Sequence, residues 1–428
     1  MADDSDATPV VTVFLRHDGD VLLLRRSDEV GSYSGRWGAV AGHAEGDPDG
    51  AAHEEIREET ALDPESDVML VRRGESFEVV DDELGTRWVV HPYLFDSRTR
   101  KVTTNDETTA YEWAAPTEIL RRETVPELWT SYDRVRPGLE SVADDRQHGS
   151  SYLSLRALEH LRDEAALGVE RSVTDWGDLA ATARELRDAR PSMVVVANRV
   201  NRAMFDASDE TTPAALERAA AAEIDRALAA GERAAASAAE RLPDRVATLS
   251  RSGTVLSVLS HANPESVLVA ESRPGREGVD AAERIAAETD AAVTVTTDSA
   301  FGELLAEHDV WALLVGVDAV LPDGRVVNKV GTRGAVAVAA AEGADLLAVT
   351  TSDKVRPAVG SDSVDFDREG RDPSAVYDGD AAVSIENPTF GATPAERFDA
   401  VVTEDGVLDA EGVREVAAAH RRRTAWDG

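Results

Sequence analysis

The sequence predicts an α+β module, then a helical segment, then an α/β module built on a doubly wound parallel sheet. Three observations predict it. Short apolar runs separated by turn residues fill about the first 130 positions, around one acidic helix. From Tyr152 to about Arg241 the chain is rich in Ala, Leu, Glu and Arg. From Arg245 onward, apolar strand-like runs alternate with helical ones, the pattern of a parallel sheet with crossover helices.

At 428 residues the chain exceeds one ordinary hydrophobic core, so several domains are expected. Its 42% hydrophobic content suffices for globular domains, and no window approaches the length of a membrane span. The acidic start Met-Ala-Asp-Asp-Ser-Asp lacks the basic and apolar regions of a signal peptide. Cysteine is absent, which excludes disulfides, thiolate metal sites and a cysteine nucleophile, and fits a cytoplasmic protein. The net charge is −37, spread along the whole chain, so the acids form a solvated surface. Lysine occurs only at 101, 329 and 354. Abundant acid with almost no lysine is expected of a halophilic archaeon, whose cytoplasmic salt screens self-repulsion. Such a surface argues against nonspecific nucleic-acid binding, which needs cations against phosphates. It also draws attention to Lys329 and Lys354, retained where lysine is otherwise scarce.

In the first module, residues 9–15 and 20–25 read as strands joined by an Asp-Gly turn. A glycine-punctuated strand and loop runs from Arg36 to His43, and residues 51–62 have strong helical propensity. Alternating segments follow from Val68 to Phe95, with turn residues at 81–85. On the helix, Glu55, Glu58 and Glu59 stand at i, i+3 and i+4, hence on one face. Like charges so placed repel. The face suits a hard cation such as Mg²⁺, which takes carboxylate oxygens and bridges them to substrate phosphates. It equally suits a solvated face in an acid-rich chain.

The stretch Gly42-His-Ala-Glu-Gly-Asp-Pro-Asp-Gly50 continuing to Leu62, preceded by Gly35-Arg-Trp-Gly38, resembles the Nudix box of the Nudix hydrolases. The resemblance covers about residues 8–130. It implies a Nudix fold that cleaves nucleoside diphosphates linked to another group, with Mg²⁺ or Mn²⁺ directing water onto phosphorus. It carries the catalytic and metal-binding roles onto Glu55, Glu58 and Glu59, with Glu45 as a further metal ligand. Three positions depart: Glu54 stands where the box has arginine, Ala61 replaces its late glycine, and the preceding loop is a residue short.

The apolar pattern lapses between Leu128 and Ser151, and residues 136–151 read as a linker. The domains expected are therefore 1–135, a helical subdomain at 152–242 and an α/β domain at 243–428. In the last, each apolar run ends in polar residues: Ser250-Arg251, Glu271-Ser-Arg273, Thr297-Asp298, Asp318 and Thr351-Ser-Asp-Lys354. Open α/β sheets bind ligands at these carboxyl ends. Asp318, Asn328, Lys329 and the following helix start converge on one crevice, a constellation suited to a phosphorylated small molecule. An ordinary strand, turn and helix with polar surface residues fits the same spacing.

Residues 152–428 resemble the family that unites the alpha, beta and delta regulatory subunits of translation initiation factor 2B with methylthioribose-1-phosphate isomerase and ribose-1,5-bisphosphate isomerase. The marks are Glu271-Ser-Arg-Pro274, Thr297-Asp-Ser299, Gly316-Val-Asp318, Asn328-Lys-Val-Gly-Thr332 and Asn387-Pro-Thr-Phe-Gly-Ala-Thr-Pro394. The resemblance implies a Rossmann-like fold that dimerises through this domain. It places sugar-phosphate binding on Arg273, Asn328 and Lys329 and acid/base work on Asp318, while Ser250, Arg251, Asp298 and Lys354 are expected as further ligand-binding positions from their place at the strand ends. The isomerases carry a cysteine after the first strand, and that place is Ser250. A hydroxyl is a far weaker acid than a thiol, and no histidine lies near it in sequence. The domain is therefore expected to bind a ligand, sugar phosphate or nucleotide, more than to isomerise one.

The function expected is a metal-dependent Nudix hydrolase fused to a domain that binds such a ligand. The first alternative is a non-catalytic regulatory protein that docks on translation-factor partners, and the second is a sugar-phosphate isomerase with a Nudix appendage. A homodimer or higher homo-oligomer is expected through the C-terminal domain, with no membrane partner.

Overall fold

The computed structural model describes residues 7–82, 84–172, 174–358 and 366–427. The acidic start (1–6) and Glu83, inside the expected turn at 81–85, lie outside the described residues. The chain divides into two compact units, residues 1–138 with 162–173, and residues 139–161 with 174–428.

The first unit is an eight-stranded mixed sheet. The Asp18-Gly19 turn joins antiparallel β1 (Ala7–His17) and β2 (Asp20–Arg26), as the apolar pattern predicts. After β3 (Trp37–Gly38) and β4 (Val40–His43), helix α1 spans Pro48–Thr60. Asp47 caps α1 by accepting the Gly50 N–H, and Pro48 starts it with φ already set. Strands β5 (Val68–Arg73), β6 (Phe77–Asp81), β7 (Thr86–Ser97) and β8 (Thr108–Ala114) complete the sheet, and the short α2 covers Leu128–Asp133. β1 lies parallel to β7 and antiparallel to β4, and that puts the β4 loop beside α1. Ala51, Ala52 and Ile56 of α1 pack into the core with Val11, Val13, Leu22 and Phe95.

Ala61 ends α1 in the left-handed region, φ 56°, a conformation that costs an L-residue roughly 1 kcal/mol and glycine nothing. Ala61→Gly is expected to stabilise the first unit by about 1 kcal/mol. Denaturant unfolding checks it: an unchanged or lower midpoint would contradict the strain.

In the second unit the stretch expected as a linker contains helix α3 (Leu139–Ala143). α4 spans Ser150–Arg171, with its residues up to Leu161 in this unit. α5 (Trp176–Asp188), α6 (Val194–Ala207) and α7 (Pro213–Ala239) follow, and the break expected at 188–192 separates α5 from α6. The α/β part then reads β9 (Arg245–Leu249), α8 (Gly253–Ala262), β10 (Ser266–Ala270), α9 (Glu277–Glu288), β11 (Ala292–Thr296), α10 (Phe301–Glu307) and β12 (Ala312–Gly316). A hairpin of β13 (Ala319–Val320) and β14 (Val326–Lys329) interrupts it before α11 (Thr332–Ala341) and β15 (Asp345–Val349). Last come β16 (Phe390–Thr393), β17 (Ala400–Thr403), β18 (Gly406–Val407) and α12 (Ala410–Arg422).

The main sheet runs β11-β10-β9-β12-β15-β17-β18, parallel up to the last pair. Side chains alternate across it. Leu268, Ala270, Leu313 and Val315 pack with Phe301, Val336 and Val413 on one face. Val267, Val269 and Leu314 pack with Ala234, Leu256 and Ile285 on the other. Helices therefore cover both faces, the expected doubly wound arrangement. A small antiparallel sheet, β13-β14-β16, was not anticipated: its strands are two to four residues long, too short for a period to register. Among the described residues no helix is long and apolar enough to cross a membrane.

Candidate functional site

In the first unit, α1 and the β4 loop wall a cleft of about 1030 Å³. Glu55 and Glu58 line it, joined by Glu45, Asp47, Glu54 and Glu107. Arg26 is the only arginine or lysine among the described residues that line it. Glu59 lies beneath, 6% exposed, accepting the Ala41 N–H at 3.4 Å. Burial pushes the Glu55 carboxyl up to about 7, reinforced by Glu58, Glu107 and Glu54. Burial, then Glu55, pushes Glu59 up to about 8. These carboxyls raise one another because too little positive charge compensates them. Glu54, standing where the Nudix box has an arginine, adds to the repulsion.

Glu55, Glu58 and Glu45 thus share the cleft, with Glu59 buried next to Glu55. Glu107 was not identified from the sequence: it sits in a polar loop before β8 and carries no signal beyond being one acid among many. Carboxylate oxygens in a partly desolvated, uncompensated cluster are the donors that Mg²⁺ or Mn²⁺ takes. Among the described residues no three acidic or imidazole side chains stand in ligating geometry, so the backbone brings the donors close without gathering them.

Gly42 faces the Glu55 carboxylate so closely that a Cβ there would fall 1.6 Å from Glu55 Oε1. The clash is with the end of a flexible side chain, so it would displace Glu55 and leave the backbone in place. Gly42→Ala is accordingly expected to leave the melting temperature within about 2 °C of wild type. If the first unit turns over a substrate with a bound metal, that turnover should fall at least about tenfold, the cost of misplacing one site group. Equal turnover would mean that Glu55 does no work where it stands.

In the second unit the strand order reverses between β9 and β12, the switch point at which open α/β sheets bind ligands. Ser250 follows β9, and Asp318 lies just past β12. Ser250 adopts φ 59° and is 5% exposed, and its buried Oγ has no hydrogen-bond partner among the described residues. Its N–H donates to Ser272 Oγ at 2.7 Å. Asp298 accepts the N–H groups of Ser272 and Arg273 at 2.8 and 2.6 Å, so it shapes the loop after β10.

Asp318, Lys329 and Lys354 lie within electrostatic reach of one another. Burial pushes the Asp318 carboxyl up, against the pull of Lys354 and Lys329. Burial lowers both lysines, and Asp318 opposes that. Lys354 Nζ donates to the Val317 carbonyl at 2.7 Å. Lys329 Nζ stands 4.9 Å from the Phe390 ring and 4.0 Å from Glu277 Oε1. Arg371 also binds Glu277, and its Nε donates to Thr389 Oγ1 at 3.3 Å. The Asn387–Pro394 motif therefore supplies both the ring under Lys329 and the anchor of Arg371. Asn328 Nδ2 donates to Thr332 Oγ1 at 3.2 Å.

Two sequence candidates point elsewhere. Arg251 donates to the Gln147 carbonyl and lies 3.5 Å from Asp280, while the Arg273 side chain is 64% exposed, 3.4 Å from Glu271. Glu277 and Arg371 were missed because 94 residues separate them. The arrangement offers cations for an anionic ligand and one half-buried acid for proton transfer.

Residues 146–410 match the family described as the Initiation factor 2 subunit family, and residues 6–135 match the NUDIX domain. A ribose 1,5-bisphosphate isomerase of Haloferax volcanii is 30% identical over 305 residues, 66% of this chain and 92% of that protein. The solved structure of translation initiation factor eIF-2B from Pyrococcus horikoshii OT3 superposes with a TM-score of 0.53 at 25% identity, covering 63% of this chain and 94% of that one. 5-Methylthioribose 1-phosphate isomerase from the same organism shares the fold, with a TM-score of 0.53 at 17% identity over 73% of this chain and 89% of that one.

Proposed function

Since the chain belongs to the initiation factor 2 subunit family and carries a NUDIX domain ahead of that region, we propose that it is a metal-dependent hydrolase of nucleoside-diphosphate-linked substrates. Its second unit binds a sugar phosphate or nucleotide. The observation that carries the first half is the pair Glu55 and Glu59, raised to about 7 and about 8 beside Glu58 and Glu107. A site that holds repelling carboxylates together gains most from a bound divalent cation. Glu55, Glu58, Glu59 and Glu45 are the residues that would hold it. When bound, Mg²⁺ or Mn²⁺ would neutralise the diphosphate and lower the pKa of water. The chain's own groups orient the substrate and accept the proton. Water oxygen bonds to one phosphorus, the bridging P–O bond breaks, and the departing phosphate keeps the electron pair. Calorimetric titration of Mn²⁺ into the full chain tests the assignment. Saturable binding is expected for wild type and at least tenfold weaker binding for Glu59→Gln. Equal affinity would remove Glu59 from the set.

In the second unit, Lys329 supports anion binding and Asp318 supplies an acid, while the buried Ser250 hydroxyl has no base bonded to it among the described residues. That favours a binding or regulatory role over isomerisation. Self-association through this unit, in a salt-rich cytoplasm, belongs to the same reading. Lys329→Ala is expected to weaken binding of ribose 1,5-bisphosphate or a nucleoside monophosphate by roughly tenfold or more, the loss of one charge-assisted contact. Unchanged binding would show the crevice to be misread. Ser250→Cys should raise isomerase turnover if the unit is a decayed enzyme, and no gain would favour a site dedicated to binding.

A further inference from the structure

Lys354 reaches the crevice of the second unit from a single 3₁₀ turn, Ser352–Lys354, that follows β15. One such turn has little stability of its own, so its neighbours decide where it stands. Lysine carries its charge on a flexible four-carbon stem, and burial works against that charge here. The Lys354 side chain is buried all the same, with Nζ donating to the Val317 carbonyl, one residue before Asp318. Its ammonium stays in place only as long as the turn beneath it does.

Three holds fix that turn. Asn198 Nδ2 brackets it, donating to the carbonyls of Asp353 and Val355 at 2.7 and 2.9 Å. Arginines of α6 and α7 take the Asp353 carboxylate. The third hold falls on Ser352. Glu404, just past β17, accepts the Ser352 N–H at 2.8 Å and its hydroxyl at 2.6 Å. On the other side, His420 Nε2 of α12 lies 3.0 Å from the Ser352 carbonyl. His420 is 1% exposed, and burial pushes its imidazole down to about 4, so at neutral pH the ring carries one proton. That proton sits on Nε2, because a carbonyl can only accept. Nδ1 is then an acceptor, with Arg423 Nη1 3.4 Å away.

A 3₁₀ helix has three residues per turn, so the side chains of Ser352, Asp353 and Lys354 leave its axis in three directions. The Asp353 hold alone lets the turn roll about one carboxylate. With Ser352 held as well, two directions are set, and they set the third. We propose that His420 and Glu404 are positioning residues for the crevice: by fixing Ser352 they aim the Lys354 ammonium at the anion that the second unit binds. The C-terminal helix then acts on ligand affinity through Lys354. This rests on the reading of the crevice as an anion site.

The test is a double-mutant cycle on the full chain. Ribose 1,5-bisphosphate is titrated calorimetrically in metal-free, high-salt buffer, where the acidic cleft of the first unit repels it. His420→Leu removes the N–H and is expected to weaken binding at least about fivefold, whereas His420→Gln, which keeps a donor, stays within about twofold of wild type. Lys354→Met should weaken binding about tenfold or more, the loss of one charge-assisted contact. Adding His420→Leu to Lys354→Met should cost no more than about a further twofold, because residues that act through one contact are not additive. A residue that only supports the fold would exact its full loss in both backgrounds. If His420→Leu does not fold, Glu404→Leu runs the same cycle from the other side of Ser352. Wild-type affinity in His420→Leu, equal losses in both backgrounds, or His420→Gln as weak as His420→Leu would overturn the positioning. Full binding by Lys354→Met beside weak binding by Lys329→Ala would overturn it too, while leaving the crevice an anion site. No binding by wild type would remove the anion site itself and the positioning with it.

Discussion

Replacing Glu58 by Gln is expected to lower kcat for metal-dependent hydrolysis by about 10²–10³-fold while leaving the protein as stable as before, or more so. The two effects have one origin. Glu58 lines the cleft and pushes the Glu55 carboxyl up. Removing its charge therefore relieves repulsion in the metal-free protein. The same change deletes a donor to a divalent cation, whose contribution to the transition state is several kcal/mol, equivalent to two to three orders of magnitude in rate. Melting curves with and without Mg²⁺ separate the two. Wild type should gain stability on adding the cation, because a ligand that binds only the folded state stabilises it by mass action. Glu58→Gln should lose most of that gain. A variant that hydrolyses normally, or melts far below wild type without metal, would contradict the role.

Asp353→Ala is expected to destabilise the second unit by about 3–5 kcal/mol, the cost of breaking a buried ion pair from one side. Asp353 is fully buried, next to Lys354. Arg199 Nε reaches it at 3.1 Å, Arg202 at 2.9 Å and Arg226 at 2.8 and 2.7 Å. Burial alone would push its carboxyl up. Arg199, Arg226 and Arg202 outweigh that and hold it well below the usual carboxylate range. Without it, among the described residues, Glu223 remains as the carboxylate paired with Arg202 and Arg226, at 3.6 and 2.5 Å. The melting transition of this unit should fall by on the order of 10 °C. Adding Arg199→Leu to Asp353→Ala should recover part of the loss, since it removes one uncompensated charge. A loss under about 1 kcal/mol would mean that the three guanidinium groups find other partners.

Much of this architecture was legible in the chain because it is periodic or locally patterned. The Asp18-Gly19 hairpin, the helix carrying Glu55, Glu58 and Glu59, and the five apolar runs that became β9, β10, β11, β12 and β15 each announce themselves within a dozen residues. Asp318, Asn328 and Lys329 could be proposed together because one hairpin, β13-β14, separates them. The pairs that finish each site were not legible. Glu277 meets Arg371 across 94 residues, Asp353 meets Arg199 across 154, and Glu107 enters the cleft of Glu55 from a loop whose local sequence is only polar. Such contacts depend on tertiary placement, which no local period encodes. Spacing also overestimates convergence. Arg251 and Asp298 sit at strand ends as anticipated, yet one bonds to Gln147 and the other to the backbone of Ser272 and Arg273.

The most direct measurement is product analysis of the full chain in high salt with Mg²⁺ or Mn²⁺, across nucleoside diphosphate sugars, dinucleotides, nucleoside triphosphates and diphosphate esters without a base. The account predicts cleavage of a diphosphate bridge in at least one nucleoside-containing class, lost in Glu58→Gln and on chelation of the metal. A folded protein that releases no product from any class, or whose activity survives Glu58→Gln, would contradict it and leave a binding protein in its place.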